Sequence, residues 1–519
     1  MIKKMCLLLT FVSLLVLSGC KPPTQGDGPK EISGLHGTIY QIFVRSFADS
    51  DGDGIGDLNG ITQKLDYLAS LNIKALWLMP IQPSSAYHGY EVTDYYDINP
   101  QYGTLDDFKN LVKKAKEKGI EIILDMVLNH TSNQHPWFIE AMKGDPKYLN
   151  YYVTTTKSMN DTVDGRQVWH RNGTYSYYAY FFYTQPDLNF FNPEVQEELI
   201  NIGKFWVNLG VKGFRLDGAM HFYATREYPD QAYNWFDNVL FLNKLKTEMR
   251  KIDPDFYTLG EVWTDANSYS LYYQSLDSAL DFDISDLLVD TASKNGNDNY
   301  VNKIVRLYNM YREQNPDFIG APFLRNHDMD RLASIAGIDN NLAKMRMAAE
   351  MLLTLPGNPI IYYGEEIGMK GWKTDGTNGW YDETRRLPFI WDDSYETSWI
   401  NTNINQGVKS PNVQAADANS LWNTYRRILK VRAENKALLY GNNLEPYENN
   451  NYRVQGYYRT YTNGSETQKV LIIHNLDITP QNISVTGKIL YLTNQETAPE
   501  TVTVLPSKTT VIIDVTDSK

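Results

Sequence analysis

The sequence predicts an α/β protein whose main part is a closed barrel of eight parallel strands, followed by a smaller antiparallel β domain. Three observations support this prediction. Short apolar, β-branched runs alternate with amphipathic helical patterns through most of the chain. The alternation is interrupted between His130 and about Asn192, where the chain is rich in Tyr, Asn and Thr and lacks helical periodicity. From about Leu439 the pattern changes to consecutive alternating strands.

Eight β-α units are the number that closes a (β/α)8, or TIM, barrel. In a typical unit, 105–118, apolar residues recur about every 3.6 positions until Gly119 ends the pattern. The predicted barrel strands are 38–44, 75–79, 121–127, 213–216, 257–262, 279–284, 322–325 and 359–363. The C-terminal strands, which predict a small antiparallel β-sandwich, are 452–461, 469–474, 488–492, 501–505 and 509–515.

The N-terminus has the pattern of an export signal. Lys3 and Lys4 precede an apolar run, 7–17, which is too short and wrongly flanked for a membrane-spanning helix. The leader ends Leu-Ser-Gly-Cys at Cys20, which resembles a bacterial lipobox whose cysteine is lipidated; an ordinary cleavage site is the alternative. We therefore expect an exported protein held by an N-terminal lipid anchor at the bacterial cell surface or membrane.

Composition and charge argue against several classes of protein. With 42% apolar and 21% charged residues, the chain is neither disordered nor fibrous. A formal charge of −13 argues against nucleic acid as a partner. Both cysteines, Cys6 and Cys20, lie in the leader, which excludes a disulfide framework and a cysteine-based metal site. We expect a monomer.

The predicted organisation has five parts. They are a signal peptide over 1–20, a Pro/Gly-rich tether over 21–34, a catalytic barrel (domain A) over 35–130 and 193–435, an insertion (domain B) over 131–192, and a β domain (domain C) over 436–519.

Polar side chains gather where predicted strands end. Asp125 lies at the end of strand three, Arg215 and Asp217 at the end of strand four, Glu261 on strand five and Asp328 beyond strand seven. The carboxyl ends of barrel strands meet at one mouth, so we expect these groups to converge. A single acid at a strand end is usually a helix cap or a solvated group, but capping does not readily explain four strands that end alike.

These residue types limit the chemistry. The chain has no serine nucleophile elbow and no Gly-Lys phosphate loop, which leaves carboxylates, an arginine and histidines. Two carboxyl groups about 5–5.5 Å apart suit retaining glycoside hydrolysis. We expect Arg215, on the same strand face as Asp217, to lower the pKa of Asp217. Apolar Val262 and Trp263 are expected to keep Glu261 protonated by desolvation.

Six segments together resemble the α-amylase family, glycoside hydrolase family 13, over most of the chain. In this order and spacing a chance match is negligible. Four of them carry the strand-end residues: 125–130 (DMVLNH), 213–221 (GFRLDGAMH), 259–263 (LGEVW) and 323–328 (FLRNHD). The other two are 185–189 (QPDLN) and 357–369 (GNPIIYYGEEIGM).

The resemblance implies a role for individual residues. Asp217 would be the nucleophile, Glu261 the acid/base and Asp328 the transition-state stabiliser. Tyr90, in the segment AYHGY, would stack on the sugar at the −1 side of the cleaved bond. A single histidine is more often a satisfied core group, but these motif contexts favour substrate binding. The implied substrate-binding residues are Tyr90, His88, His130, Arg215 and His327.

An acidic loop directly after strand one predicts a Ca²⁺ site. Its oxygen spacing resembles the first nine positions of an EF-hand loop, although position 12 is Gly60 instead of Glu. Oligo-1,6-glucosidase-like members of the family carry the same loop as a Ca²⁺ site; a solvated acidic turn is the alternative. The expected ligands are the side chains of Asp49, Asp51, Asp53 and Asp57 and the carbonyl of Ile55.

A second Ca²⁺ site is implied by the resemblance alone. Family α-amylases hold an ion between barrel and insertion, and here the ligands would be Asn129, Asp187 and the backbone of His221. Alternatively, Asp187 and Asn189 cap the junction of the insertion.

Tyr87 favours one branch of the family. Exo-acting α-glucosidases of the family usually carry Asp at the position of Tyr87. The absence of that Asp favours an open cleft and an endo-acting α-amylase that cleaves α-1,4 bonds of starch, glycogen or maltodextrins. Segment 185–189, the acidic loop and Met220 point instead to the glucosidase-like branch. An exo-acting α-glucosidase, an oligo-1,6-glucosidase and a glucanotransferase therefore stay open. The complete set of three acids argues against a non-enzymatic sugar-binding lipoprotein.

Overall fold

The structure is a computed structural model, and it describes residues 33–163, 165–223, 235–294, 299–377 and 379–517. The predicted signal peptide, its Cys20 and residues 21–32 of the predicted tether lie outside the described residues. Within the described ranges, no helix has both the length and the apolar character that crossing a bilayer requires.

Parallel strands in the described part of the chain form a barrel. The strands are Thr38–Ile42 (β1), Ile73–Leu78 (β2), Glu121–Met126 (β3), Gly213–Leu216 (β4), Tyr257–Gly260 (β5), Ser278–Asp281 (β6), Ala321–Pro322 (β7) and Ile360–Tyr362 (β8). Their hydrogen-bonded order is β7-β6-β5-β4-β3-β2-β1-β8. A parallel bridge between Phe323 and Ile360 joins the two outer strands, so the ring closes. The predicted (β/α)8 fold class is confirmed.

Helices surround the barrel, and local sequence explains where they begin. Before Leu105–Glu117, the Thr104 hydroxyl accepts from the Asp107 N–H and the Asp107 carboxylate accepts from the Thr104 N–H. Phe108 and Leu111 on its inner face are buried against the barrel. The other helices outside the insertion are Val44–Phe47, Leu58–Gln63, Leu65–Ser70, Pro193–Asn208, Trp235–Arg250, Ala266–Ser270, Phe282–Ser293, Tyr300–Gln314, Leu342–Thr354, Pro411–Ala415, Leu421–Glu434 and Lys436–Leu439.

Strand β6 is shorter than the predicted strand over 279–284. The Asp281 carboxylate accepts a hydrogen bond from the Ile284 N–H at 3.0 Å and caps the helix Phe282–Ser293. The end of this apolar run is therefore the first helical turn. Strands β5 and β7 also end earlier than predicted, and Glu261 consequently lies in the loop just beyond β5.

The chain between β3 and the helix Pro193–Asn208 forms a small α+β unit. It contains two short helices, Pro136–Lys143 and Pro146–Leu149, although the segment lacks helical periodicity. Each begins at a proline preceded by a capping side chain, His135 or Asp145, and this pair is the local signal that identifies them. The strands of this unit are Thr154–Thr155, Thr162–Val163, Arg166–Gln167, Trp169–Asn172 and Tyr175–Tyr178.

Antiparallel strands form the C-terminal region, as predicted. The five-stranded sheet has the order Glu445–Pro446, Val454–Asn463, Glu466–Asn475, Thr509–Asp514 and Lys488–Leu492. A separate two-stranded sheet pairs Gln481–Asn482 with Val504–Leu505. The strand predicted over 501–505 therefore pairs outside the main sheet.

Charged side chains are buried where barrel helices meet the C-terminal sheet. Arg432, Arg459 and Glu350 are each no more than 1% exposed. Both arginines donate to main-chain carbonyls at and beyond the end of Leu342–Thr354, where a helix leaves carbonyls unpaired. The acceptors are the carbonyls of Leu353, Leu355 and Gly357 for Arg432 and those of Thr354, Leu355 and Gly441 for Arg459. Glu350 accepts from the hydroxyls of Tyr491 and Thr493, both at 2.6 Å.

The described chain begins beside the N-terminal ends of the barrel strands. Asn358, just before β8, donates from Nδ2 to the Leu35 carbonyl at 3.0 Å. Its Oδ1 accepts from the Gly37 N–H at 2.9 Å. These two bonds clamp the segment that leads into β1 at the face of the barrel opposite the mouth.

Candidate active site

One buried guanidinium organises the barrel mouth. Arg215, on β4, is fully buried, and its Nη1 lies 2.7 Å from Asp125 Oδ1 and 2.8 Å from Asp217 Oδ1. Its Nη2 lies 2.8 Å from Glu261 Oε2. Strand β3 supplies Asp125, and Asp217 and Glu261 each lie directly after the end of a strand, β4 and β5. The predicted convergence of strand-end acids is therefore present.

Asp217 and Glu261 form ion pairs with the two terminal nitrogens of the same planar group, which keeps the two carboxylates close together. The Gly218 N–H also donates to Glu261 Oε2 at 3.0 Å. The polar partners of Glu261 are thus a cation and a main-chain N–H. The sequence predicts that apolar Val262 and Trp263 shield Glu261 from water. Trp263, however, is 54% exposed and does not form an apolar cover.

The charge balance at Arg215 is uneven, because one cation faces three carboxylates. Burial raises the pKa of Asp217 well above its ordinary value, and the nearby Glu261 and Asp125 carboxylates act in the same direction. Arg215 lowers this pKa, as expected from the sequence, but does not outweigh burial. The predicted direction of the Arg215 effect is therefore present, although burial makes the overall shift of this pKa upward.

Asp328 has the opposite electrostatic environment. Burial alone would raise its pKa, but the His327 ring and the Arg386 guanidinium more than offset this, so the pKa of Asp328 is lowered. His327 Nε2 lies 2.9 Å from Asp328 Oδ2, and Arg386 Nη2 lies 3.2 Å from Oδ1. An acid held ionised beside the cluster can accept hydrogen bonds from sugar hydroxyls.

Tyr90 closes one wall of the site. Its hydroxyl donates to Asp125 Oδ2 at 2.9 Å and lies 2.7 Å from His327 Nε2, while the two rings stack 5.5 Å apart. The Tyr90 carbonyl lies 3.0 Å from His130 Nε2, and the Tyr90 N–H donates to His88 Nδ1 at 3.1 Å. All five predicted substrate-binding residues therefore meet at the mouth.

His88 and His130 are neutral rings at neutral pH. Burial lowers the pKa of His130 to about 4. Burial, with the Arg386 guanidinium acting in the same direction, lowers the pKa of His88 to about 4. Neutral imidazoles can donate to or accept from sugar hydroxyls without adding charge to a crowded site.

Sequence reasoning missed several residues of this site. Arg386 touches Asp328, and its Nη1 donates to the Tyr87 hydroxyl at 2.6 Å and pairs with Asp382 Oδ2 at 2.9 Å. It lies in the irregular segment after β8, which has no local pattern to mark it. A polar residue inside an apolar strand could have marked Gln41, whose Nε2 lies 2.7 Å from His327 Nδ1.

In the acidic loop after β1, three of the four predicted carboxylates converge. Carboxylate oxygens of Asp49, Asp51 and Asp57 lie within 4.8 Å of one another, and Asp49 and Asp57 are buried. Asp53 lies outside this group, and its carboxylate accepts from the Ile55 N–H at 2.7 Å. The converging oxygens are those that a hard cation prefers, so this part of the loop fits Ca²⁺.

The residues predicted for a second Ca²⁺ site also lie together. Leu188 pairs with Asn129 through its N–H, and Tyr180 donates its N–H to Asp187 Oδ1 while its ring stacks on His221. Asn129 Oδ1 and Asp187 Oδ2 are buried acceptors without a hydrogen-bond partner among the described residues. Burial raises the pKa of Asp187 well above its ordinary value. A cation would satisfy both oxygens and the buried charge.

Comparisons with known proteins agree with this geometry. A family model described as the α-amylase catalytic domain matches residues 41–441. The chain is 41% identical over 447 residues to Alpha-amylase 3 of Dictyoglomus thermophilum, and the alignment covers 85% of this chain and 84% of that protein. It is 34% identical over 362 residues to a 4-alpha-glucanotransferase of Thermotoga maritima, covering 68% of this chain and 76% of that protein.

A solved structure agrees as well. The crystal structure of an α-amylase from H. orenii superposes with a TM-score of 0.82 at 38% identity, covering 92% of this chain and 99% of that chain. The chain therefore belongs to the α-amylase family, glycoside hydrolase family 13, and is a glycoside hydrolase.

Proposed function

We propose that the protein is a retaining, endo-acting hydrolase of α-1,4-glucosidic bonds in starch, glycogen or maltodextrins. One observation carries this proposal. The guanidinium of Arg215 holds the carboxylates of Asp217 and Glu261 on adjacent nitrogens at 2.8 Å each. Two carboxyl groups held side by side suit a double displacement, whereas inverting enzymes keep a gap for water between them.

The first half-reaction divides the work between the two acids. Glu261 transfers its carboxyl proton to the glycosidic oxygen while the Asp217 carboxylate forms a bond to the anomeric carbon. The bond from that carbon to the glycosidic oxygen breaks, and the leaving sugar departs with the proton. The product is a glucosyl ester on Asp217 with inverted configuration.

The second half-reaction reverses the roles. The Glu261 carboxylate takes a proton from water as the water oxygen bonds to the anomeric carbon. The ester bond to Asp217 breaks, and the sugar leaves with its α configuration restored. Ionised Asp328 accepts from sugar hydroxyls, and Tyr90 presents its ring to the sugar face.

Tyr87 supports internal cleavage, because a tyrosine at this position has no carboxylate of its own to clamp a chain end. Its hydroxyl accepts from Arg386 at 2.6 Å and donates to Asp382 at 3.0 Å. The similar 4-alpha-glucanotransferase keeps a transferase open, and exo-acting α-glucosidase or oligo-1,6-glucosidase activity remains the other alternative. Whether water or a second sugar resolves the intermediate depends on water access.

Product analysis separates these activities. The protein is incubated with soluble starch and with a small aryl α-glucoside, and iodine colour is followed against reducing ends. We expect rapid loss of colour with few reducing ends. Glucose released from the aryl glucoside while colour persists would identify an exo-acting glucosidase. Redistribution of maltooligosaccharide lengths without new reducing ends would identify a transferase.

We propose that both the loop site and the inner site bind Ca²⁺. The ion at the inner site stabilises the junction of barrel and insertion. The partnerless oxygens of Asn129 and Asp187 support the inner site, and the converging carboxylates of Asp49, Asp51 and Asp57 support the loop site. Chelation should lower the melting temperature by several degrees, with recovery on adding Ca²⁺ but not Mg²⁺. An unchanged melting temperature would contradict the proposal.

We further propose that the protein is a monomer, lipidated at Cys20 and exposed on the secreted side of a bacterial membrane. The lipobox-like end of the leader supports this location. Cys20→Ala should move the protein from the membrane fraction to the soluble fraction of the producing cells, while membrane retention of this variant would exclude a lipid anchor.

A further inference from the structure

A hollow of about 330 Å³ lies between the start of the barrel helix Tyr300–Gln314 and the C-terminal sheet region. None of the described residues that line it belongs to the site at the barrel mouth. Its polar and aromatic lining includes Tyr447, Tyr452, Asn302, Asn449 and Asn451.

Two tyrosine rings line the same concave surface. Tyr452 is 62% exposed, and the Arg453 guanidinium lies over its ring at 5.4 Å. Tyr447 is half-buried and packs edge-on against Tyr458 at 6.1 Å. One exposed tyrosine is ordinary on a protein surface. Two rings that share a concavity with several amides are typical of a small-molecule site.

The hollow is held in shape before any ligand arrives. Gln455 Oε1 accepts from the Val301 N–H at 3.1 Å, and its Nε2 donates to the Tyr452 carbonyl at 3.2 Å. The Asn451 N–H donates to Asn449 Oδ1 at 2.8 Å within the same turn. Gln455 thus ties the barrel side to the tyrosine side, which lowers the ordering cost of binding.

The lining indicates an uncharged, hydroxyl-rich ligand. Glu448 alone is charged among the described residues that line the hollow, and amides can both donate to and accept from hydroxyls. Another hollow on the C-terminal region, of about 560 Å³, differs: its described lining has no aromatic ring and carries charges of both signs, including Lys436, Glu466 and Asp514. Nucleic acid would need a cationic lining, which Glu448 opposes.

We propose that this hollow is a second α-glucan binding site, which holds part of the polymer away from the catalytic mouth. The proposal rests on the proposed function, since the ligand is the proposed substrate. Tyr452 and Tyr447 stack on pyranose faces, and the asparagine amides bind the hydroxyls. One polymer that reaches both sites is held more tightly than by either alone.

Affinity electrophoresis in gels that contain glycogen tests the site. All proteins carry Glu261→Gln so that the glycogen is not digested. Adding Tyr452→Ala should weaken the apparent affinity for glycogen about fivefold. Tyr452→Phe keeps the ring and should keep most of the retardation, and Lys436→Ala, in the charged hollow, should change nothing. Unchanged retardation of the Tyr452→Ala protein would overturn the proposal.

Hydrolysis of a short aryl maltotrioside separates this proposal from the proposed function. The substrate is too short to occupy both sites, so Tyr452→Ala with Glu261 intact should keep the parental kcat/KM. A fall in that value would show that the hollow is not separate from the mouth and would overturn the second site. A parental protein that binds glycogen through Tyr452 but hydrolyses no α-glucan would instead overturn the proposed function alone.

Discussion

The barrel mouth and the junction with the C-terminal sheet both bury charged side chains, but they satisfy them in opposite ways. At the mouth, Arg215 is the partner of three carboxylates, so negative charge is in excess. At the junction, Arg432 and Arg459 bind main-chain carbonyls, and Glu350 binds hydroxyls. The junction therefore holds its charged groups with neutral partners.

The pKa values follow from this difference. At the junction, burial lowers the pKa of Arg432 to about 9 and of Arg459 to about 10, and raises the pKa of Glu350 to about 7. At the mouth, burial together with the Glu261 and Asp125 carboxylates raises the pKa of Asp217, whereas His327 and Arg386 lower the pKa of Asp328. Neighbouring charges thus act on the acids of the mouth in both directions, whereas at the junction burial is the main influence on the pKa values.

The largest expected effect is at the mouth. Asp217→Asn and Glu261→Gln each remove an acid that takes part in both half-reactions, so kcat on soluble starch should fall at least roughly 10³-fold. Circular dichroism should show an unchanged fold. The matched control is Glu434→Gln, whose side chain is 61% exposed on the barrel surface and should leave kcat unchanged. Near-parental activity in either acid variant would contradict the assignment.

The next effect is at the junction. Arg459→Met leaves the buried carbonyls of Thr354 and Gly441 without their guanidinium donor, while the Leu355 carbonyl keeps the one from Arg432. The free energy of unfolding, measured with urea, should fall by about 4 kcal/mol, while kcat of the folded fraction stays unchanged. Arg453→Met, with its side chain 47% exposed, is the control and should cost less than about 0.5 kcal/mol. A lower kcat for Arg459→Met would show that the two regions are coupled.

The smallest effect is a pH dependence at the same junction. Because burial raises the pKa of Glu350 from 4.5 to about 7, the folded state favours the protonated form. Its contribution to stability is complete below pH 4.5 and is lost as the pH rises to 7. From this group the parental protein should lose roughly 3 kcal/mol of unfolding free energy over that interval. Urea unfolding at about pH 5 and about pH 7.5 should show this loss in the parent and not in Glu350→Gln; equal losses would contradict it.

Regular strand topology made the centre of the site predictable. Asp217, Glu261 and Asp328 follow consecutive or nearby barrel strands, and parallel strands bring their carboxyl ends to one mouth. Family motifs then assigned roles to those positions. The fold class was predictable for the same reason, because the period of the apolar residues reports strand and helix directly.

Irregular segments and summed electrostatics were not predictable. Arg386 reaches Asp328 and Tyr87 from a long loop after β8, where no periodicity fixes its position. The direction of the pKa shift of Asp217 depends on burial and on every charge around Arg215, which spacing along one strand does not report. The C-terminal end of β6 is set by one capping hydrogen bond, from the Ile284 N–H to the Asp281 carboxylate, which the pattern of apolar residues does not reveal.

The clamp that Asn358 places on Leu35 and Gly37 has a consequence for how a long polymer meets the protein. The chain emerges from the barrel on the side away from the mouth. If Cys20 carries the lipid, the residues between it and Ser33 can span at most roughly 45 Å. A lipid at Cys20 would then be attached at the face of the barrel opposite the mouth, so the attachment point would not obstruct a long polymer that enters the mouth.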